Sequence, residues 1–193
     1  MSLITTEIDV INKALTLLGD RVISSRSENN ERARVMDAIY DNTRDRILRE
    51  CPWNFAVKRV KLSSSGTPVW GDYGYLYPLP TDFLYMMETD GATDYTIEGG
   101  NILSDATNGV AGGTLSIRYV SRVTDVSRMD PLFTEALAFR LAYDACEKIT
   151  QSNTKKDYLY REYETTMTRA KRYNGQEDNA YYYVQDEWIK ARA

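Results

Sequence analysis

The 193-residue chain contains no histidine. That absence removes the Ser-His-Asp and Cys-His nucleophile pairs, histidine-ligated zinc sites and the usual proton shuttle near neutral pH. Cysteine is nearly as scarce: Cys51 and Cys146 stand far apart, with no CxxC pair. They read as buried thiols suited to a reducing compartment. No run reaches the roughly 18 apolar residues that a membrane-spanning helix needs, so no membrane partner is expected. The start, MSLITTEIDV, has neither the basic opening nor the apolar stretch of a signal peptide, and synthesis and folding in a cytoplasm are expected. Phenylalanine is sparse at 4 residues while tyrosine reaches 15, a balance that favours surfaces both wet and adhesive over a dry core.

Charge of one sign is also in deficit. The net charge of -4 and pI near 5.0 give a field that repels nucleic acid rather than gathering it. The local basic runs, Lys58, Arg59 and Lys61 in one place and Arg169, Lys171 and Arg172 in another, read as solvated faces of a strand and a helix. GGNILSDATNGVAGG lacks the spacing of a phosphate-binding loop, and hairpin turns explain its glycines. The twelve-residue calcium-loop pattern is missing from SDATNG. Asp82, Glu88, Asp90 and Asp94 lie near one another on strand ends and turns. Turn chemistry accounts for them, with a glycosidase-like acid and base pair as the catalytic alternative. No catalytic residue, cofactor or metal is expected.

What is present is periodicity that changes along the chain. TTEIDVINKALTLLGD predicts a helix capped by Thr6, with Asp9 in the capping-box position and Gly19 as its stop. A second helix, from about Glu31 to Glu50, carries Met36, Ile39, Tyr40, Thr43 and Ile47 on one stripe and ends at Cys51-Pro52. Its arginines Arg44, Arg46 and Arg49 are expected to face solvent or to pair with acids one turn away. From Trp53 the period shortens to that of strands: WNFAVKRVKL, FLYMMET, DYTIEGG, NILSD and GGTLSIRYVSRVTD. SSSGTPVWGDYGYLYPLPTD reads as turn plus extended chain. Helix returns at Asp130, the cap, and Pro131, the first helical position; apolar residues on two faces make this helix central. A last helix is expected from Thr154 to Tyr173, stopped by Asn174-Gly175.

The predicted fold class is therefore α+β, mainly α: a four-helix bundle with a small antiparallel β insert between the second and third helices and an extended C-terminal tail. Its boundaries are 1-52 and 130-175 for the two halves of the bundle, 53-129 for the β insert and 176-193 for the tail. Two aromatic clusters stand out, Trp70, Tyr73, Tyr75 and Tyr77 on a Gly- and Pro-punctuated segment, and Tyr181, Tyr182, Tyr183 and Trp188 near the end. The first either covers a face of its own sheet or adheres to something else. For the tail, burying a handful of apolar side chains covers only part of the conformational entropy lost on ordering, so a partner surface is expected.

Five stretches taken in order resemble the head-to-tail adaptor proteins of short-tailed bacteriophages, the tail tubular protein A-like family. They are RDRILRECPWNFAVKRVKL (44 to 62), YPLPTDFLYM (77 to 86), YTIEGGNILSD (95 to 105), DPLFTEALAFRLAYDACEKIT (130 to 150) and DEWIKARA (186 to 193). The resemblance spans nearly the whole chain except residues 1 to 30. It implies a structural virion protein without catalysis, forming a ring, dodecameric where known, between the portal protein and the tail nozzle protein, with DNA passing through its channel unbound. Assembly would take place in the host cytoplasm. By the same resemblance Trp53 and Phe55 match the family's anchor between helix and sheet, and Leu79, Pro80 and Asp82 its turn into the next strand. Tyr181, Tyr182, Tyr183, Trp188, Ile189 and Arg192 would bind the partner, with Trp188, Ile189 and Arg192 matching the terminal docking motif. The alternatives are a tail-associated peptidoglycan hydrolase built on Asp and Glu residues, or a nucleic-acid-binding module using Lys58, Arg59 and Lys61.

Overall fold

The computed structural model describes residues 4–90, 94–105 and 113–177. Helix α1 covers Glu7–Leu18, and both arms of its capping box are formed: the Asp9 amide donates to the Thr6 hydroxyl, and the Thr6 amide to the Asp9 carboxylate. Gly19 closes it in the left-handed region at φ 75°, where glycine carries no Cβ penalty. Helix α2 spans Glu31–Glu50 behind the Asn30 cap. Between them Arg26 donates to Glu7, Asp37 and Asp41, tying the loop to both helices. Among the arginines of α2, Arg44 pairs with Asp41 and Asp45 as expected, but its side chain is buried rather than solvent-facing.

Six strands follow: β1 Val57–Ser63, β2 Tyr75–Pro78, β3 Phe83–Asp90, β4 Tyr95–Glu98, β5 Asn101–Ser104 and β6 Thr114–Ser121. They form two antiparallel three-stranded sheets, ordered β1-β6-β3 and β2-β5-β4. Helix α3, Pro131–Thr150, starts at Asp130, whose carboxylate accepts from the Leu132 and Phe133 amides. Helix α4 runs over Asn153–Glu177. The two-faced apolar pattern of α3 has the expected outcome, because α1, α2 and α4 all pack against it.

Two expectations are corrected. The β region is not a small insert on a mainly helical bundle; the molecule is a mixed α+β fold with two substantial sheets. The reason lies in the cores. One core joins the helices to the near end of the first sheet through Trp53, Ala56, Leu84 and Val120. A second, built on Tyr77, Ile102, Leu115, Ile117 and Tyr119, holds the two sheets face to face. The YLYP segment, read as extended turn, supplies β2 and so completes the second sheet. The other correction concerns α4, which continues through Asn174-Gly175 to Glu177. Tertiary hydrogen bonds to Asn174 outweigh the weak helix propensity of this pair. Residues 176–177 of the expected tail thus belong to α4, and 178–193 lie outside the described residues. Neither cysteine is in a disulfide; Cys146 is buried and Cys51 only half-buried.

Candidate functional site

The junction between helices and sheets is built by residues far apart in sequence. After α2, Pro52 bars further helix and a 3-10 turn over Asn54–Ala56 leads into β1. This turn drives Trp53 fully into the core, where its indole N–H donates to the Ile47 carbonyl at 3.0 Å. Trp53 and Phe55 stack at 6.1 Å between ring centres, and Phe133 of α3 meets each edge-on at 5.1 Å. Across the junction the Asn54 amide donates to Asn174 Oδ1 at 2.8 Å, and Asn54 Nδ2 to the Asn174 carbonyl at 2.9 Å. Asn174 Nδ2 in turn donates to the Pro52 carbonyl at 3.1 Å. The C-terminal end of α4 is thereby clamped to the start of the β region.

Asp82, in the turn before β3, links the junction to the first sheet. Its carboxylate accepts from Lys58 Nζ at 2.6 Å and from Tyr119 Oη at 2.9 Å, while its carbonyl accepts from the Arg122 amide. Burial works against the Asp82 charge, but the Lys58 and Tyr119 hydrogen bonds outweigh it and hold the carboxyl below the usual carboxylate range. Burial and the Asp82 hydrogen bond push the Tyr119 phenol up to about 12. Glu88 pairs with Arg118 at 3.2 Å, and Asp94 accepts from Tyr73 Oη at 3.1 Å. Three of the four carboxylates considered for acid and base chemistry thus hold the β region together, in separate contacts. Among the described residues no group of three or more Cys, Asp or Glu could hold a metal ion. No described helix is long and apolar enough to cross a membrane.

The first aromatic cluster divides. Tyr77 is fully buried between the sheets and Tyr75 packs beside it, whereas Trp70 is 87% and Val69 99% exposed. Trp70 rims an open recess of about 340 Å³ on the outer face of the second sheet, with Asp72, Tyr73, Asp94, Thr96 and Glu98. A second recess, of about 570 Å³, opens on the outer face of the first sheet beside Arg59, Lys61 and Arg118. Of the three cations of the alternative nucleic-acid reading, Lys58 is committed to Asp82, which leaves Arg59 and Lys61 on the face they were expected to solvate. The residues expected to bind a partner, Tyr181, Tyr182, Tyr183, Trp188, Ile189 and Arg192, lie outside the described residues. Sequence reasoning missed the Asn54–Asn174 clamp. It also missed the pairing of Arg59 with Arg118, which only strand register reveals. No family model matches the chain, and no curated protein matches it either.

Proposed function

We propose that the chain is a structural virion protein of the head-to-tail adaptor type, acting by contact rather than by catalysis. Its copies form a ring, dodecameric as in the family it resembles, that joins the portal protein to the tail nozzle protein and lines the channel through which DNA passes. The single observation that carries this reading is the convergence of separated motifs on one junction. Trp53 and Phe55 of the first motif meet Phe133 of the fourth, and Lys58 of the first pairs with Asp82 of the second. Their contacts are ring packing and a salt bridge, the chemistry of a scaffold. The acidic balance of the chain suits a channel that lets a duplex slide without holding it. Residues 178–193, with Tyr181, Tyr182, Tyr183, Trp188, Ile189 and Arg192, are the docking element in this proposal.

Deleting residues 178–193 leaves every described contact in place and separates docking from folding. Sedimentation with the portal protein encoded alongside this chain is expected to show binding by the full chain and loss of binding by the truncated one. Equal binding by both removes the docking role.

A further inference from the structure

Residues 62–117 contain seven acidic residues and neither lysine nor arginine. The cations Arg59, Lys61 and Arg118 flank this stretch. Strand pairing turns that segregation in sequence into segregation in space. In β6, Leu115, Ile117 and Tyr119 face the second sheet, so by alternation Ser116 and Arg118 face outward. Register places Arg59 opposite Arg118 and Lys61 opposite Ser116, on the same outer face. In the second sheet Tyr95 and Ile102 face inward, so Asp94, Thr96, Glu98 and Leu103 face out. The β region therefore presents opposite charges on two faces that look in opposite directions. Asp72, Asp94, Glu98 and Asp105 surround Trp70 on one, and Arg59, Lys61 and Arg118, partly offset by Glu88 and Asp90, line the recess on the other.

The basic face carries a cost that the fold alone does not explain. Two arginines directly opposed across a strand pair repel each other. Glu88 offsets one of them, yet Arg118 Nε is shielded from water with no acceptor among the described residues. Arg59 and Lys61 form no ion pair among the described residues. The acidic face carries the complementary anomaly, an indole held almost wholly in water.

We propose that the Trp70-tipped acidic face of one copy docks into the basic recess of a second copy of this chain. The indole lies against the Arg59 and Arg118 guanidinium groups, and Asp72 and Glu98 reach Lys61 and Arg59. Because the two faces differ, each docked pair keeps one free face of each kind, and association continues until a rotation closes it. The inference rests on the self-assembling part of the proposed function and assigns the surfaces that carry it, without reference to the portal.

Sedimentation velocity of the full chain at low ionic strength tests it. The unmodified protein is expected to associate with rising concentration and to dissociate as salt screens the charges. Trp70→Ala, at a site too exposed to affect folding, is expected to weaken association roughly thirty-fold, as loss of an aromatic anchor does. The neutral double variants Arg59→Gln/Lys61→Gln and Asp72→Asn/Glu98→Gln are each expected to sediment singly. Mixed in equal amounts they are expected to form one-to-one pairs and nothing larger, because each brings one intact face. Circular dichroism checks that every variant is folded. An unmodified protein that stays single at millimolar concentration overturns the inference. So do charge variants that assemble as the unmodified chain does, or a mixture that remains single. Portal binding that survives in such a protein leaves the adaptor reading intact while this one fails.

Discussion

At the scale of single residues, Trp53 and Asp82 secure the junction by different physics. Trp53 contributes dispersion and buried area from three sides, and a cavity left there has few ways to collapse between two packed aromatic rings. Trp53→Ala is expected to lower stability by roughly 3–5 kcal/mol, read as a shift of the urea midpoint followed by far-ultraviolet circular dichroism. Asp82 acts through charge, so its contribution depends on pH. Its carboxyl titrates below the ordinary value of 3.8 in the folded chain, so its stabilisation is fully present above that value and is lost as pH falls through the folded value. Asp82→Asn keeps the shape and removes the charge. The variant is expected to be less stable than the unmodified chain at neutral pH, and the gap to close as the solution is acidified. A gap that stays constant down to strong acid rules out the Lys58 and Tyr119 contacts as its source.

At the scale of elements, glycines report how tertiary context reassigns local propensity. Gly175 sits inside α4 with open space where a Cβ would stand, so Gly175→Ala is expected to stabilise the helix by roughly 0.5–1 kcal/mol and raise the thermal midpoint. Gly113, just before β6, has φ +67° and would bring a Cβ within 2.7 Å of the Tyr75 ring, so Gly113→Ala is expected to lower the midpoint. The pair also shows why the sequence was legible where it was. Helix starts depend on side chains within one turn, and Thr6 with Asp9, Asn30, and Asp130 with Pro131 all cap where their spacing indicates. The end of α4 depends on Asn54, some 120 residues away, and no local reading reaches that far. The strand periods were legible too, apart from β2, where Pro78 and the neighbouring glycines resemble a turn. Which strands pair is not written in any one of them. A single sheet was the simplest assembly of short strands, and the alternate face of β6, apolar through Leu115, Ile117 and Tyr119, is what recruits a second.

At the scale of the whole molecule, β6 belongs to both cores. Val120 lies in the helical core and Leu115, Ile117 and Tyr119 in the one between the sheets. The candidate surfaces inherit this arrangement, and that sets how far they could be read from sequence. Trp70 stood out among glycines and prolines, but the opposition of a basic to an acidic face exists only once register assigns each strand its inward side. The second sheet pairs with the rest of the molecule mainly through side chains, with main-chain bonds at Leu76: the Ser65 amide donates to the Leu76 carbonyl and the Leu76 amide to the Gly66 carbonyl. Damage to the outer core should therefore stay local, while damage to the helical core should not. Ile102→Ala removes buried methyl groups worth roughly 2–5 kcal/mol between the sheets. Hydrogen exchange is expected to quicken at the amides of β2, β4 and β5, with those in the middle of α3 remaining as slow as before. Uniform acceleration across the chain would mean that β6 transmits the loss and that the two cores unfold as one unit. The recess beside Arg59 and Arg118 would then be only as durable as the packing behind it, and Ile102→Ala would weaken self-association as much as Trp70→Ala.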